Sequence, residues 1–144
     1  MTSRGLSKAR IGLAQNCAKV NSKSPYLFDV NVAASEETRS KGLGGRTAIL
    51  ESGEGMLFAF SAARPVSFWM KDTLIPMQIA YFDAKGRLFE THEMRVERDP
   101  SNPLKTFPSS KPTAAALEAA PSRIASRDIG KLVLCVEQTG KTAK

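Results

Sequence analysis

The 144-residue sequence predicts a mainly β fold carrying one or two short helices. Three observations predict it. Residues 26–33 place Tyr26, Phe28, Val30 and Val32 on alternate positions, the period-2 pattern of a half-buried strand. Asp83-Ala84-Lys85-Gly86 has the residues of a type I turn followed by a left-handed glycine, which makes Met77–Phe82 and Arg87–Met94 the arms of a β-hairpin. Short apolar runs at 55–60, 66–70 and 132–137 have strand length and end near Gly or Pro.

Taken in order, the ordered domain is expected to span 26–138, between a flexible basic tail at 1–25 and a flexible tail at 139–144. After the first strand, Ser35 is placed to cap a helix of about one and a half turns, with Glu36 and Glu37 in its first turn and Gly42 ending it. Gly55–Phe60 is apolar on both parities, so both faces of that strand need cover. Four prolines, Pro100, Pro103, Pro108 and Pro112, make 99–112 a long loop without regular structure. Ala114–Ala120 has helical propensity in a β context, and tertiary context favours the strand. Pro121 suits the first turn of a short helix running to about Arg127. Leu132–Glu137 closes the domain as a strand.

Composition excludes several function classes. Hydrophobic residues at 42% and charged residues at 24% describe a water-soluble folded chain rather than a disordered one. No apolar run approaches the roughly 20 residues that a membrane-spanning helix needs. The net charge of +7 belongs to the ends: Arg4, Lys8, Arg10, Lys19 and Lys23 stand in 1–25 without an acid, while 26–130 holds as many acids as bases. Specific nucleic-acid binding is therefore not expected. The apolar stretch after Arg10 is too short for a secretory signal, since Gln15 and Asn16 interrupt it. Cys17 and Cys135 are expected as free thiols, because a bridge would require the tail to fold back.

Chemistry-bearing residues are few. The single histidine, His92, sits in the second hairpin arm and is expected as an exposed strand residue. No Gly-rich phosphate loop and no Cys/His spacing for a metal are present, so no cofactor or metal is expected. Met56, Met70, Met77 and Met94 stand among apolar and aromatic residues and are expected to fill the core.

Four segments occur in order that together carry a family resemblance: Glu37-Thr38-Arg39-Ser40-Lys41-Gly42-Leu43, Gly55-Met56-Leu57-Phe58-Ala59-Phe60, Trp69-Met70-Lys71-Asp72-Thr73-Leu74-Ile75-Pro76, and Leu117-Glu118. The sequence resembles the domain of unknown function 192 family over roughly 28–137. The resemblance implies a compact β-sandwich or barrel of jelly-roll type, no established activity, and relatives that are often exported or lipid-anchored. The chain departs from the family pattern at Gly44, Gln78 and Lys131, where Met, Asp and an acid are common. Gln78 hydrogen-bonds but cannot act as a base, which tilts the reading from catalysis toward binding.

The candidate site is Arg39, Trp69, Lys71, Asp72, Thr73 and Glu118, which joins the only Trp to charges set in apolar segments. Glu118, among alanines, must face water or meet a cation such as Arg39 or Lys71. In a structural role it forms a buried ion pair. In a functional role Trp69 offers a flat platform, and Lys71, Thr73 and Glu118 orient a small polar ligand, glycan or peptide. Two alternatives follow: a glycan-type hydrolase or lyase using Asp72 and Glu118, which requires the pair about 5–10 Å apart across an open cleft; and a protein-partner scaffold using a sheet edge or the loop 99–112.

Overall fold

The computed structural model describes residues 6–137. Its strands are β1 (Leu6–Ala14), β2 (Leu27–Ala33), β3 (Glu54–Arg64), β4 (Ser67–Trp69), β5 (Met77–Phe82), β6 (Leu88–Met94), β7 (Thr106–Pro108), β8 (Thr113–Ala119) and β9 (Val133–Val136). One α-helix, α1 (Glu36–Lys41), lies between β2 and β3. The fold is mainly β, as expected.

Seven strands form one sheet in the order β6-β5-β8-β3-β2-β1-β9, while β4 and β7 pair separately. The large sheet curls into a half-barrel until its outer strands approach. Arg87 bridges Val133, Leu88 N–H donates to Leu132 O at 2.9 Å, and Leu134 N–H donates to Gly86 O at 2.8 Å. Side chains alternate across such a sheet, so its two faces collect different residues. Ile11 and Leu13 of β1 pack in one cluster with Leu88 of β6, from the opposite end of the strand order, and with Leu57, Phe82 and Leu117. This is the inner, enclosed face. Met56, Phe58, Met77, Ile79, Tyr81 and Ala116 stand on the outer face, where Leu50, Met70, Ile75 and Met94 join the cluster and Phe68 and Phe107 of the small sheet pack against it. The four methionines expected in the core are buried there.

The local signals for α1 hold. Ser35 Oγ accepts from Thr38 N–H at 3.1 Å, and Thr38 Oγ1 accepts from Ser35 N–H at 3.2 Å, completing a capping box. Glu36 and Glu37 open the helix and Arg39 and Lys41 close it, matching the macrodipole at both ends. Gly42 ends it at φ 50°. A crossover of this kind lets β3 return parallel to β2. The β5–β6 hairpin is present, with Asp83 Oδ1 accepting from Lys85 and Arg87 N–H, and Gly86 at φ 81°.

Four expectations are corrected. Residues 6–14 are not a flexible tail: β1 lies between β2 and β9, with Ile11 and Leu13 on the inner face and Arg10 Nε 2.9 Å from Asp29 at the surface. Insertion of β1 carries Cys17 to β9, where it forms a disulfide with Cys135 at a Cα separation of 5.4 Å, so neither cysteine is free. The proline-rich stretch is not wholly irregular, because β7 pairs with β4 as an edge strand; its terminal Pro108 sits where a missing N–H is tolerated. Residues 121–127 form turns rather than a helix, and only Ser126–Asp128 winds, as a 3-10 turn. The expected tail at 139–144 lies outside the described residues.

Ala114–Ala120 resolves as expected from context. β8 runs between β3 and β5, antiparallel to both, so its backbone groups are taken up by ladders on each side. This central strand carries Glu118.

Candidate functional site

Alternation along β8 puts Leu117 and Ala119 on the inner face and Glu118 on the outer face, opposite Met56 of β3 and Ile79 of β5. Glu118 is only 5% exposed, and its Oε1 is buried without a hydrogen-bond partner. Neither Arg39 nor Lys71 reaches it: among the described residues no ion pair includes Glu118. The carboxyl therefore meets no cation, and the expected ion pair is replaced by a buried acid without a charged partner. Burial alone pushes its pKa up from the ordinary 4.5 to about 8. At neutral pH it is held mainly as the uncharged acid, which can donate one hydrogen bond and accept others.

Above Glu118 lies a cavity of about 430 Å³. Its walls come from α1 and the turn after it (Glu36, Arg39, Gly42), from β3 and its end (Phe58, Phe60, Arg64), and from β4 (Phe68, Trp69) with Thr73. Gly42 approaches the floor closely: a Cβ there would stand 3.4 Å from the Phe58 ring and 3.8 Å from Glu118 Oε1. Those are ordinary contacts, so it is the positive φ of the turn that calls for glycine here. Thr73 is buried, its Oγ1 donating to Lys71 O at 3.0 Å, which leaves the oxygen's acceptor capacity toward the cavity. Trp69 is 52% exposed, an unusual state for the largest apolar side chain.

Two guanidiniums lie against one ring. Arg39 lies 5.2 Å and Arg64 4.8 Å from the centroid of Phe60. Arg39 Nη1 is anchored on Ala34 O at 2.5 Å and Ala59 O at 3.1 Å, so its position is set by backbone rather than by an acid. Neither arginine pairs with a carboxylate among the described residues.

Four of the six residues expected at the site line this cavity: Arg39, Trp69, Thr73 and Glu118. Lys71 and Asp72 do not. Lys71 Nζ stands 5.8 Å from the Trp69 ring and donates to Ser101 O at 3.4 Å, bracing the platform from outside. Asp72 takes φ 55°, its N–H donating to Pro100 O at 2.7 Å and its carbonyl accepting from Gly45 N–H at 3.0 Å. It clips three loops together. With Glu118 buried and Asp72 outside the cavity, the two do not face one another across an open cleft, and the paired-carboxylate hydrolase is set aside. Arg64, Phe60 and Phe68 escape the sequence reading, since an Arg before Pro65 and aromatics in a strand read as ordinary packing.

Two further polar residues have structural roles. Gln78 is buried, its Nε2 donating to Glu93 Oε2 at 2.9 Å and Ile124 O at 3.1 Å, its Oε1 accepting from Ile124 N–H at 2.8 Å. The amide latches the 121–125 loop onto the sheet. His92 is half-buried rather than exposed, because β7 and its neighbours cover it: the ring lies 5.7 Å from Phe107 and 6.0 Å from Tyr81, and Nε2 is 2.5 Å from Glu90 Oε2. Burial raises the Glu90 pKa, but hydrogen bonds from Ser110 and His92 outweigh it and hold the carboxyl below its ordinary value. Among the described residues no helix is long and apolar enough to cross a membrane, and no three His, Cys, Asp or Glu side chains gather as metal ligands.

Comparison with known proteins supports the architecture. A crystal structure from Sinorhizobium meliloti, of a protein provisionally labelled a transcription regulator, aligns with a TM-score of 0.74 at 24% identity, covering 94% of this chain and 98% of that one. A protein of unknown function from Novosphingobium aromaticivorans aligns with a TM-score of 0.63 at 22% identity, covering 92% and 84%. At these identities the likeness is one of fold. No curated protein matches the chain in sequence. The model of the uncharacterised family DUF192 matches residues 18–131, the greater part of the sequence and all four of its motifs, and the chain belongs to that family.

Proposed function

We propose that this protein is a binding module that takes a small polar ligand into the cavity over Glu118. One observation carries the reading: Glu118, whose Oε1 is buried without a partner, lines a cavity whose walls combine aromatic rings with two arginines. Leaving such an atom unsatisfied costs roughly 1–3 kcal/mol, and a ligand hydroxyl or amide seated there would recover that cost. The volume falls in the range of small-molecule sites, and the half-exposed Trp69 offers a flat apolar surface at the mouth.

Trp69 is the only tryptophan and lines the cavity, so its emission reports directly on occupancy. Titration with monosaccharides, short peptides and nucleotides is expected to give a saturable change with one class. The same ligand should raise the melting temperature, by an amount equivalent to about 2.7 kcal/mol at a hundredfold excess over Kd. Both effects should vanish in Glu118→Leu, which keeps an apolar floor without the hydrogen-bonding group. No response to any class sinks the proposal.

A second reading, a scaffold for a protein partner, is favoured by Leu104, which is 87% exposed in the loop before β7. Leu104→Asp should then abolish any concentration-dependent mass seen by light scattering.

A further inference from the structure

We infer that the ligand is a small organic carboxylate bearing neutral hydroxyl groups, its anionic end held by Arg39 and Arg64 beside Phe60 and a hydroxyl seated on Glu118. This rests on the reading of the cavity as a binding site and gives its ligand a charge and a polarity.

The argument starts from how charge is distributed along the walls. Arg39 and Arg64 both line the cavity and lie against the Phe60 ring without a carboxylate partner among the described residues, and Lys71 stands beside Trp69 just outside. Against these cations the lining offers two acids, Glu36 and Glu118. Glu36 belongs to the first turn of α1, where the helix dipole already favours its charge. Glu118 is buried and far enough from every cation to lack an ion pair, an environment that favours its uncharged form. The mouth is thus net positive and the floor neutral.

That polarity selects among ligands. A cationic amine would have to pass two guanidiniums and the ammonium of Lys71. A neutral sugar would fit the floor and the aromatic walls but leave the guanidiniums without an anion. A carboxylate matches the planar fork of an arginine, which binds such groups through two parallel N–H donors. A ring carrying hydroxyls can lay its C–H face on Trp69 and give one hydroxyl to Glu118, whose acid form both donates and accepts. The terminal acidic sugar of a glycan and the C-terminal end of a short hydroxyl-bearing peptide share this chemistry.

The test is a Trp69 fluorescence titration with glucuronate, glucose, glucosamine and N-acetylserine, each on the wild type, Arg64→Gln and Glu118→Gln. Glucuronate or N-acetylserine is expected to bind at least tenfold more tightly than glucose, with glucosamine weakest; which acid leads distinguishes the glycan from the peptide source. Arg64→Gln should erase the advantage of the acid over glucose. Glu118→Gln, the uncharged isostere, should weaken glucuronate and glucose by the same factor, so that the advantage of the acid persists. Should glucosamine bind best, or should Glu118→Gln abolish binding while the protein melts as a folded domain, the floor is an ionised carboxylate and the inference falls, although the cavity is still a binding site. Silence from all four probes removes the acid specificity. Only silence from the wider panel of peptides and nucleotides as well removes the binding reading.

Discussion

Leu117 and Glu118 are neighbours on one strand, yet they face environments of opposite design. Leu117 enters an inner face to which strands from both ends of the sheet contribute, and that face is apolar and closed. Glu118 enters an outer face covered only by a small two-stranded sheet and connecting loops, and that cover leaves the cavity beside it. The two faces do different work. The inner core supplies stability, since each buried apolar side chain contributes roughly 1.5–3 kcal/mol. The outer face gives part of that up to hold a carboxyl that its surroundings do not satisfy. A lone acid in such a place is a cost to folding, and sites that carry this cost are where binding is expected to be found.

The comparison can be broken or sharpened in four ways. The largest effect is expected at the edge of the inner face. Replacing Cys17 and Cys135 by Ser removes a cross-link between residues 118 apart and should cost about 2–5 kcal/mol in urea unfolding, with β1 amides exchanging first. Leu117→Ala should cost about 2–5 kcal/mol, because the inner face is packed on all sides. Glu118→Gln, one residue along, should go the other way and stabilise the protein at pH 8; a loss as large as that of Leu117→Ala would erase the distinction between the faces.

The third effect is the pH dependence of the same carboxyl. Its folded pKa of about 8 lies above the ordinary 4.5, so between these values the folded protein keeps a proton that the unfolded chain releases. Stability from this group is therefore full at low pH and declines as pH rises from about 4.5 to 8, by at most about 1.4 kcal/mol per unit. Glu118→Gln should flatten that decline. Glu90, held below its ordinary value, and Tyr81, raised by burial, titrate outside this window, so the difference between wild type and variant isolates Glu118. The smallest effect is expected at Asp72, whose φ of 55° is strained for a side chain: Asp72→Gly should change stability by less than about 1 kcal/mol and leave the cavity's binding intact.

Much of this was legible in the sequence, and the failures have identifiable causes. β2, the β5–β6 hairpin and the capped α1 are written locally, in alternation, in a turn and in a cap, and they appear where those signals stand. β1 carries a legible alternation of Ala9, Ile11 and Leu13, but Lys8, Arg10 and nearby cations give it the composition of a tail. Its role depends on pairing with β9, about 120 residues away, and so does the disulfide. β7 escapes for a related reason: an edge strand of three residues needs only one partner and tolerates the proline that argues against it. The site shows the same division. Trp69, Arg39, Thr73 and Glu118 stand out as residue types misplaced in their segments, whereas Arg64 and Phe60 become notable only once β3 and α1 are side by side.

The bond between Cys17 and Cys135 also changes what damage does to this molecule. It closes a covalent ring around nearly all of the described chain, from the end of β1 to the last strand. A single proteolytic cut in the proline-rich loop, or in any other loop inside the ring, would release no fragment. Cut protein would keep its full mass until a reductant is added, and its halves would refold as one connected chain rather than as two pieces that must find each other.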